Sequence, residues 1–174
     1  MAAGVGDAVG EPVCGVVYDP VREELFVAAD GRLTLNGEPV KHFLRGRTDR
    51  EVEALSNAPY EGERPSRAAQ EAHADLVNSF RAVRRLGSCA LHLAYVAVGR
   101  VAIAYESKFS AWDIAAGIQL VQAAGGQVYA QDADGRPVEP REDALGTVKR
   151  LVVAQAGFDY PSSSLARLMA DGVL

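Results

Sequence analysis

The residue with the clearest potential for chemistry is His92, which lies in an apolar stretch with the character of a helix. At helical spacing it shares a face with Ser88, Cys89 and Tyr95. A neutral imidazole on such a face can act as a general acid or base near pH 7. The alternative is a structural histidine, partly buried and hydrogen-bonded to Ser88 or to a backbone carbonyl. Ser88 and His92 do not define a hydrolase triad, because the sequence identifies no orienting carboxylate.

Two carboxylates follow His92 along the chain. Glu106 lies in a polar run that also fits an exposed strand end. Asp113 fits a capping box with Ser110, a local interaction that stabilises a helix start by about 1 kcal/mol. Trp112 beside it is predicted to be a core anchor, with a pocket wall as the alternative. The candidate catalytic residues are therefore His92, Glu106 and Asp113, and the candidate substrate-binding residues are Ser88, Tyr95 and Trp112.

Strands and turns are predicted for the segments before these residues. Residues 12–18 are apolar and β-branched, as in a buried strand, and Asp19-Pro20 ends the run. The turn pairs Asp30-Gly31 and Asn36-Gly37 lie between further apolar runs, which indicates a β-meander. Residues 45–65 are charged and without a sustained period, so we expect a surface connection with at most one short helix.

The second half alternates between helices and strands. The predicted helices cover residues 67–83, 89–98, 110–124 and 162–169, and the predicted strands cover 101–105, 127–130 and 151–154. Ser66 is the predicted cap of the first helix, and Gly99 and Gly125 end the next two. We find no internal repeat or low-complexity linker, so the sequence predicts one α/β domain over residues 1–174.

Composition narrows the function classes. The chain of 174 residues is 48% hydrophobic and 24% charged, which excludes wholesale disorder. Its net charge of −5 and the lack of a Lys/Arg cluster argue against nucleic acid as a partner. No apolar run reaches the roughly 18 residues of a membrane helix, so no membrane association is expected. Cys14 and Cys89 are too few for a disulfide framework, which favours the reducing cytoplasm as the location.

Three segments in fixed order resemble the inositol monophosphatase-like family of metal-dependent sugar phosphatases. They are GVVYDPV at residues 15–21 with the following meander, RLGSCAL at residues 85–91 with its continuation to Arg100, and WDIAAG at residues 112–117 with AGG at residues 124–126. Each segment alone is weak support, but the ordered set spans most of residues 13–130. The resemblance implies the family's layered sandwich of sheets and helices.

The resemblance also shows what this sequence does not contain. Family members carry a metal-binding Glu and an Asp-Pro-Ile-Asp-Gly-Thr segment ahead of the meander, and neither occurs here, so the chain resembles the C-terminal half of a phosphatase. Among the family's metal carboxylates only Asp113 has a counterpart, and Glu106 matches an acidic residue that contacts a substrate hydroxyl. His92 departs from the family's Asp or Asn. Ala102 and Ile103 replace polar or small residues, which suggests a more apolar ligand or none.

The sequence therefore predicts an α/β (α+β) fold, a truncated phosphatase sandwich with a mixed sheet of five or six strands and helices on its faces. The favoured function is a repurposed, metal-independent small-molecule enzyme that catalyses cyclisation, isomerisation or dehydration, of the kind found in bacterial natural product biosynthesis. One alternative is a Mg²⁺-dependent phosphatase completed by another chain. The other is a non-catalytic pseudophosphatase that binds a partner. No cofactor is expected, with Asp113 as the metal ligand if there is one, and a homodimer is expected to cover the sheet face left bare.

Overall fold

Ten strands and four helices make up the part of the chain that the computed structural model describes, which is residues 14–41, 48–58, 66–141 and 143–172. The strands are β1 Cys14–Asp19, β2 Glu24–Ala29, β3 Arg32–Leu35, β4 Glu38–Pro39, β5 Glu53–Ser56, β6 Ala82–Arg84, β7 Ile103–Glu106, β8 Gln127–Gln131, β9 Pro137–Val138 and β10 Arg150–Ala154. The helices are α1 Arg67–Ser79, α2 Cys89–Ala97, α3 Ala111–Ala123 and α4 Ser164–Ala170. None of these described helices is long and apolar enough to cross a membrane.

The first four strands form an antiparallel meander in the order β1-β2-β3-β4, called sheet A here. The turn from β2 to β3 uses Asp30 and Gly31, at φ of 50° and 67°, and the turn from β3 to β4 uses Asn36 and Gly37, at φ of 52° and 83°. Positive φ at both central residues gives the turn whose twist matches that of paired strands, and Asx-Gly pairs tolerate it best. The predicted meander is therefore confirmed, and its turns explain why these pairs occur where they do.

The remaining strands form sheet B, a six-stranded mixed sheet in the order β6-β5-β7-β10-β8-β9. Strands β6, β5 and β7 run parallel to one another, and the other neighbours pair antiparallel. The mixed sheet predicted from the sequence is confirmed. The three parallel strands bring their carboxyl ends to the same edge of the sheet, and this edge positions the candidate site.

The elements stack in four layers. Alternate side chains of β10 pack into two different cores, which shows the order of the layers. Leu151 and Val153 join the core that contains α2, α3 and the inner side of sheet A, whereas Val152 and Ala154 join the core with α1 and α4. The order is thus sheet A, then α2 and α3, then sheet B, then α1 and α4. Sheet B is covered on both faces, which is why its central strands are apolar without a polar side.

Three helices begin at serine caps, of which the sequence analysis predicts those at Ser66 and Ser110. The Ser66 hydroxyl accepts the amide of Ala69 at 3.2 Å, and the Ser88 hydroxyl accepts the amide of Leu91 at 3.4 Å. Ser110 forms a full capping box with Asp113, whose Oδ2 accepts the Ser110 amide at 2.8 Å. Each cap satisfies amides that the first helical turn leaves without a carbonyl partner.

Several boundaries differ from the sequence prediction. The helix predicted over residues 67–83 ends at Ser79, and Ala82–Arg84 is strand β6. The segment expected to hold at most one short helix contains a 3₁₀ turn at Asp49–Glu51 and also strand β5. Both missed strands have four residues or fewer, too short to show a period of two against a helical background. Residues 12 and 13 of the first predicted strand lie outside the described residues.

Trp112 is also placed differently from the core anchor that was expected. Its side chain is 73% exposed, although its helix is otherwise well packed. The residue occupies the first turn of α3, where the inward positions are filled by Ile114 and Ala116 instead. The size of Trp112 suggested that it would be buried, but the residue lies on the face of α3 that is exposed to solvent.

Helices α2 and α3 pack closely because Gly117 faces Leu93. A Cβ added at Gly117 would lie 2.5 Å from Leu93 Cβ and 2.6 Å from its Cδ2. Contacts that short cannot be relieved by a rotamer change, because Leu93 Cβ moves only with the backbone.

We therefore expect Gly117→Ala to lower the free energy of unfolding by about 1–3 kcal/mol through overpacking, more than the gain of about 1 kcal/mol that alanine brings to a helix. Urea unfolding followed by circular dichroism measures the difference. Gly146→Ala is the matched control, because nothing lies within 4 Å of its added Cβ, and it should shift stability by no more than about 0.5 kcal/mol. A Gly117→Ala protein as stable as wild type would refute the close-packing argument.

Candidate functional site

The candidate site lies at the carboxyl edge of the parallel strands in sheet B. Glu106 is the last residue of β7, and Asn57 directly follows β5. Helix α2 begins shortly after β6 and α3 shortly after β7, so both helices start at this same edge. Carboxyl ends of parallel strands, with helix N-termini beside them, are where open α/β sheets bind ligands. The topology thus gathers side chains that are far apart in the sequence.

His92 and Glu106 form a buried pair at this edge. His92 has no exposed surface and Glu106 is 1% exposed. The imidazole Nδ1 contacts a Glu106 carboxylate oxygen directly, and Nε2 accepts the backbone amide of Leu86 at 3.1 Å. Because Nε2 is an acceptor in this assignment, the proton lies on Nδ1 and is donated to the carboxylate. Both ring nitrogens are therefore used inside the protein.

Asn57 completes the same network and was not identified from the sequence. Its Oδ1 accepts the amide of Gly87 at 3.0 Å, and its Nδ2 donates to Glu106 Oε2 at 3.5 Å. Together, Asn57 and His92 hold the connection that leads into α2. No sequence signal could have found Asn57, because the short strand β5 that positions it gives no pattern and its partners lie 30 and 49 residues away.

Cys89, in the first turn of α2, lies close to both carboxylates of the site. Burial raises the pKa of its thiol strongly, and the negative charges of Glu106 and Asp113 raise it further. The thiol is therefore protonated at neutral pH and is a poor nucleophile. The shared effect also shows that the charges of Glu106 and Asp113 both reach the Cys89 thiol.

Asp113 and Trp112 form the more open side of this edge. Asp113 is half-buried and uses Oδ2 in the capping box with Ser110. Ser88 serves as the N-cap of α2. The structure therefore gives Asp113 and Ser88 structural bonds at the two helix starts, while Trp112 projects into solvent next to them.

Tyr95 takes part in a different contact, between α2 and sheet A. Its hydroxyl donates to Asp19 Oδ2 at 3.4 Å, and the guanidinium of Arg100 lies 4.8 Å from the centre of its ring. Arg100 in turn forms a two-pronged ion pair with Glu24, with N–O distances of 2.5 and 2.6 Å. We call Asp19, Glu24, Tyr95 and Arg100 the sheet A clamp. The sequence analysis placed Tyr95 with His92, and it missed the other three.

The charges of the clamp are stabilised by their partners. The Arg100 hydrogen bonds lower the pKa of Glu24, against the opposing effect of burial. Burial tends to raise the pKa of Asp19, but the amides of Arg22 and Val21 and the Arg22 guanidinium outweigh it, so the pKa is lowered. Both carboxylates therefore stay ionised well into the acidic range.

The residues of the site do not by themselves fit a Mg²⁺ phosphatase centre. The described part of the chain contains no group of three or more His, Cys, Asp or Glu side chains placed to hold a metal ion. Mg²⁺ is held in near-octahedral geometry by carboxylates, water and substrate oxygens. Asp113 supplies one such carboxylate, and half of it is engaged in the helix cap.

Comparisons with known proteins define the family. A sequence model of the inositol monophosphatase family matches residues 4–168. The chain therefore belongs to the inositol monophosphatase family, and the resemblance drawn from its three segments is confirmed.

Curated relatives agree with this assignment. The chain is 38% identical over 125 residues to inositol monophosphatase 3 of Solanum lycopersicum, covering 68% of this chain and 45% of that protein. It is 41% identical over 123 residues to the Nus factor SuhB of Escherichia coli strain K12, with the same two coverages. The chain spans about half the length of the curated relatives that it matches.

Solved structures show the same fold. An inositol monophosphatase from Anabaena superposes with a TM-score of 0.71 at 32% identity, covering 92% of this chain and 61% of that one. SaIMPase-II with bound 2'AMP superposes with a TM-score of 0.77 at 22% identity, covering 99% and 62%. This second likeness concerns the fold alone.

The buried pair generates a test on stability. His92→Leu removes the imidazole donor from a buried carboxylate and leaves the Leu86 amide without its acceptor, so we expect a loss of about 3–5 kcal/mol. Adding Glu106→Gln removes the buried charge, and the double variant should be more stable than His92→Leu by at least about 1 kcal/mol. Urea unfolding of both single variants and the double variant gives the coupling energy. Simply additive losses would show that the pair contributes no interaction of its own.

The clamp generates a test on pH dependence. Because the folded pKa of Glu24 lies below the ordinary 4.5, its contribution to stability is fully present above that pH and is lost as the pH falls through the folded pKa. The stability difference between wild type and Glu24→Gln should therefore shrink between pH 6 and pH 3. Exposed Glu38 provides the control, since Glu38→Gln should show a small difference throughout. Thermal melts across this range measure both, and a Glu24→Gln difference that does not change with pH would contradict the assignment.

Proposed function

We propose that this chain is a non-hydrolytic member of the inositol monophosphatase family, a pseudophosphatase that acts by binding another protein molecule. The observation that carries the proposal is that the reactive side chains of the site are already engaged in hydrogen bonds within the protein. His92 and Glu106 are engaged with each other inside the protein, and Asp113, the one carboxylate that the family resemblance implies as a metal ligand, accepts the Ser110 amide in the helix cap.

Acid–base catalysis requires a group within hydrogen-bond reach of its substrate. The imidazole of His92 has no exposed surface, and its second nitrogen accepts the Leu86 amide. A substrate could reach that nitrogen only after the connection before α2 had opened. The fit of His92 to a structural role, fixing Leu86 and supporting Glu106, is therefore better than its fit to a general base.

Phosphomonoester hydrolysis by a metal-dependent enzyme requires carboxylates that hold the metal ions. The uncatalysed reaction is among the slowest known, and enzymes of this kind rely on metal ions to activate water and to stabilise the developing charge. Asp113 alone, with Oδ2 accepting the Ser110 amide, offers too few oxygens for such a centre.

The metal-independent small-molecule enzyme favoured by the sequence stays a prediction, as does its place in natural product biosynthesis. It would need a substrate that enters the carboxyl edge of sheet B and displaces the bonds that close it. A small-molecule ligand there, the absence of a cofactor and the cytoplasmic location likewise stay predictions.

A second candidate is the Mg²⁺-dependent phosphatase whose remaining carboxylates come from another polypeptide. The position of Asp113 favours it, because its charge and that of Glu106 act together on Cys89 beside the start of α2. In that case Asp113 would be the ligand that this chain contributes.

An assay of phosphomonoesterase activity decides between the pseudophosphatase and the Mg²⁺-dependent phosphatase. We expect the purified chain to release no phosphate from inositol 1-phosphate above the rate without protein, at Mg²⁺ concentrations up to about 10 mM, the weak range of few-carboxylate sites. Asp113→Asn should behave identically in the assay and lose only about 1 kcal/mol of stability from the weakened helix cap. Inorganic phosphate release and thermal melts measure the two.

The control is a full-length phosphatase of the family assayed in parallel. Magnesium-dependent turnover by the wild-type chain that disappears in Asp113→Asn would overturn the pseudophosphatase proposal. Turnover that appears only when a second polypeptide is added, and again requires Asp113, would establish the second candidate instead.

A further inference from the structure

The connection between β6 and α2, residues 85–88, is held in place by side-chain acceptors. The Leu86 amide donates to His92 Nε2 at 3.1 Å, and the Gly87 amide donates to Asn57 Oδ1 at 3.0 Å. Leu86 and Gly87 are themselves exposed at the surface. A segment with little apolar burial opens locally without unfolding the rest of a protein. The position of this connection therefore depends strongly on the two acceptor atoms.

The two acceptors respond differently to acid. The amide oxygen of Asn57 takes up no proton near neutral pH, whereas histidine changes its charge between pH 5 and pH 8. The neutral ring of His92 carries its proton on Nδ1, which contacts Glu106, so a second proton can go only to Nε2. A protonated Nε2 is a donor and cannot accept the Leu86 amide. Proton uptake by His92 and its bond to Leu86 thus exclude each other.

We propose that this connection is an acid-sensitive switch, in which proton uptake at His92 Nε2 releases the Leu86 amide while Nδ1 stays bound to Glu106. Release removes the group that closes off Nε2. The released form is therefore the one in which a ligand can contact the imidazole. The switch does not depend on the proposed function, because it concerns a bond within the chain and operates whether or not the chain hydrolyses a substrate.

Negative charges around His92 favour proton uptake. The neutral ring with ionised Glu106 carries one buried negative charge, and a second proton on the ring balances it, which lowers the cost of burial. Asp113 of α3 adds to this negative potential. Burial first, and then the charges of Glu106 and Asp113, raise the pKa of the Cys89 thiol, which lies one turn before His92 on α2.

Positive charges oppose proton uptake without making it depend on pH. Arg85 lies on the connection itself, Lys108 follows β7, and Arg150 begins β10. The charge of Arg85 also acts on His73 of α1, whose pKa is lowered by burial and then by this arginine. Arginine and lysine keep their charge throughout the range in which histidine titrates. They therefore shift the midpoint of release and leave its dependence on pH in place.

The sheet A clamp, at the other end of α2, titrates in a separate range. Tyr95 donates to Asp19 there, and the pKa values of Asp19 and Glu24 lie below their ordinary values. Both carboxylates therefore keep their charge between about pH 7.5 and about pH 5. Within the described residues His73 is the other histidine, so it provides the control.

Amide hydrogen exchange resolved by NMR tests the switch between about pH 7.5 and about pH 5. Release takes up one proton, so the opening equilibrium at Leu86 should rise about tenfold for each pH unit below the midpoint of the ring. This holds after correction for the intrinsic exchange rate. The Gln155 amide, which donates to the Ala102 carbonyl at 2.7 Å, reports global unfolding and should keep its protection.

Two glutamine variants assign the response to one histidine. His92→Gln provides an amide oxygen that can accept the Leu86 amide and takes up no proton in this range, so its Leu86 protection should not vary with pH. His73→Gln should keep the wild-type profile. Circular dichroism checks that both variants fold. A wild-type profile in His92→Gln, or loss of the profile in His73→Gln, would refute the assignment to His92.

Imidazole nitrogen chemical shifts of the wild-type protein give a measurement that needs no variant. Nε2 of His92 should be unprotonated at about pH 7.5 and should gain its proton in the same range in which Leu86 loses protection. Leu86 protection that does not change with pH would overturn the proposal, as would a Nε2 that stays unprotonated at about pH 5. Loss of protection at Leu86 and Gln155 together would replace the switch by global acid unfolding.

Discussion

The structure depends on one buried carboxylate and the groups that satisfy it. Glu106 is 1% exposed at the end of β7, and an ionised carboxylate in such a place is tolerated only with hydrogen-bond donors around it. His92 supplies one donor from α2, and Asn57 supplies another from the end of β5. Since His92 and Asn57 also accept the amides of Leu86 and Gly87, the same network fixes the connection into α2. Strands, helix and connection are thereby held in one arrangement at this edge.

This requirement also shapes the functional conclusion. Glu106 and Asp113 are the two carboxylates that lie at this edge, at the end of β7 and in the first turn of α3. Each of them serves the scaffold: Glu106 binds His92, and Asp113 caps α3. A side chain whose hydrogen bonds support the fold is a costly one to redirect toward a ligand, because the buried partner would lose its own bond. The fold of the family is therefore kept, and both carboxylates are engaged in hydrogen bonds within the protein.

Sheet A is attached to this scaffold by a second set of contacts. The close approach of β1 to α3 at Gly15 and the ion pair of Arg100 with Glu24 fix its inner face. Its outer face and the β1 edge have no such partner in the described part of the chain.

Helix caps and turns could be predicted from the sequence, but contacts between residues far apart in the sequence could not. The caps at Ser66 and Ser110 and the Asx-Gly turns depend on residues within four positions of one another, so the sequence was sufficient for them. The ordered segments were likewise sufficient for the family and for its mixed sheet. The strands β5 and β6 were missed because so few residues carry no period. The partners of His92, and the exposure of Trp112, were decided by tertiary structure alone, since Glu106 lies 14 residues from His92 and burial depends on which helix face meets the core.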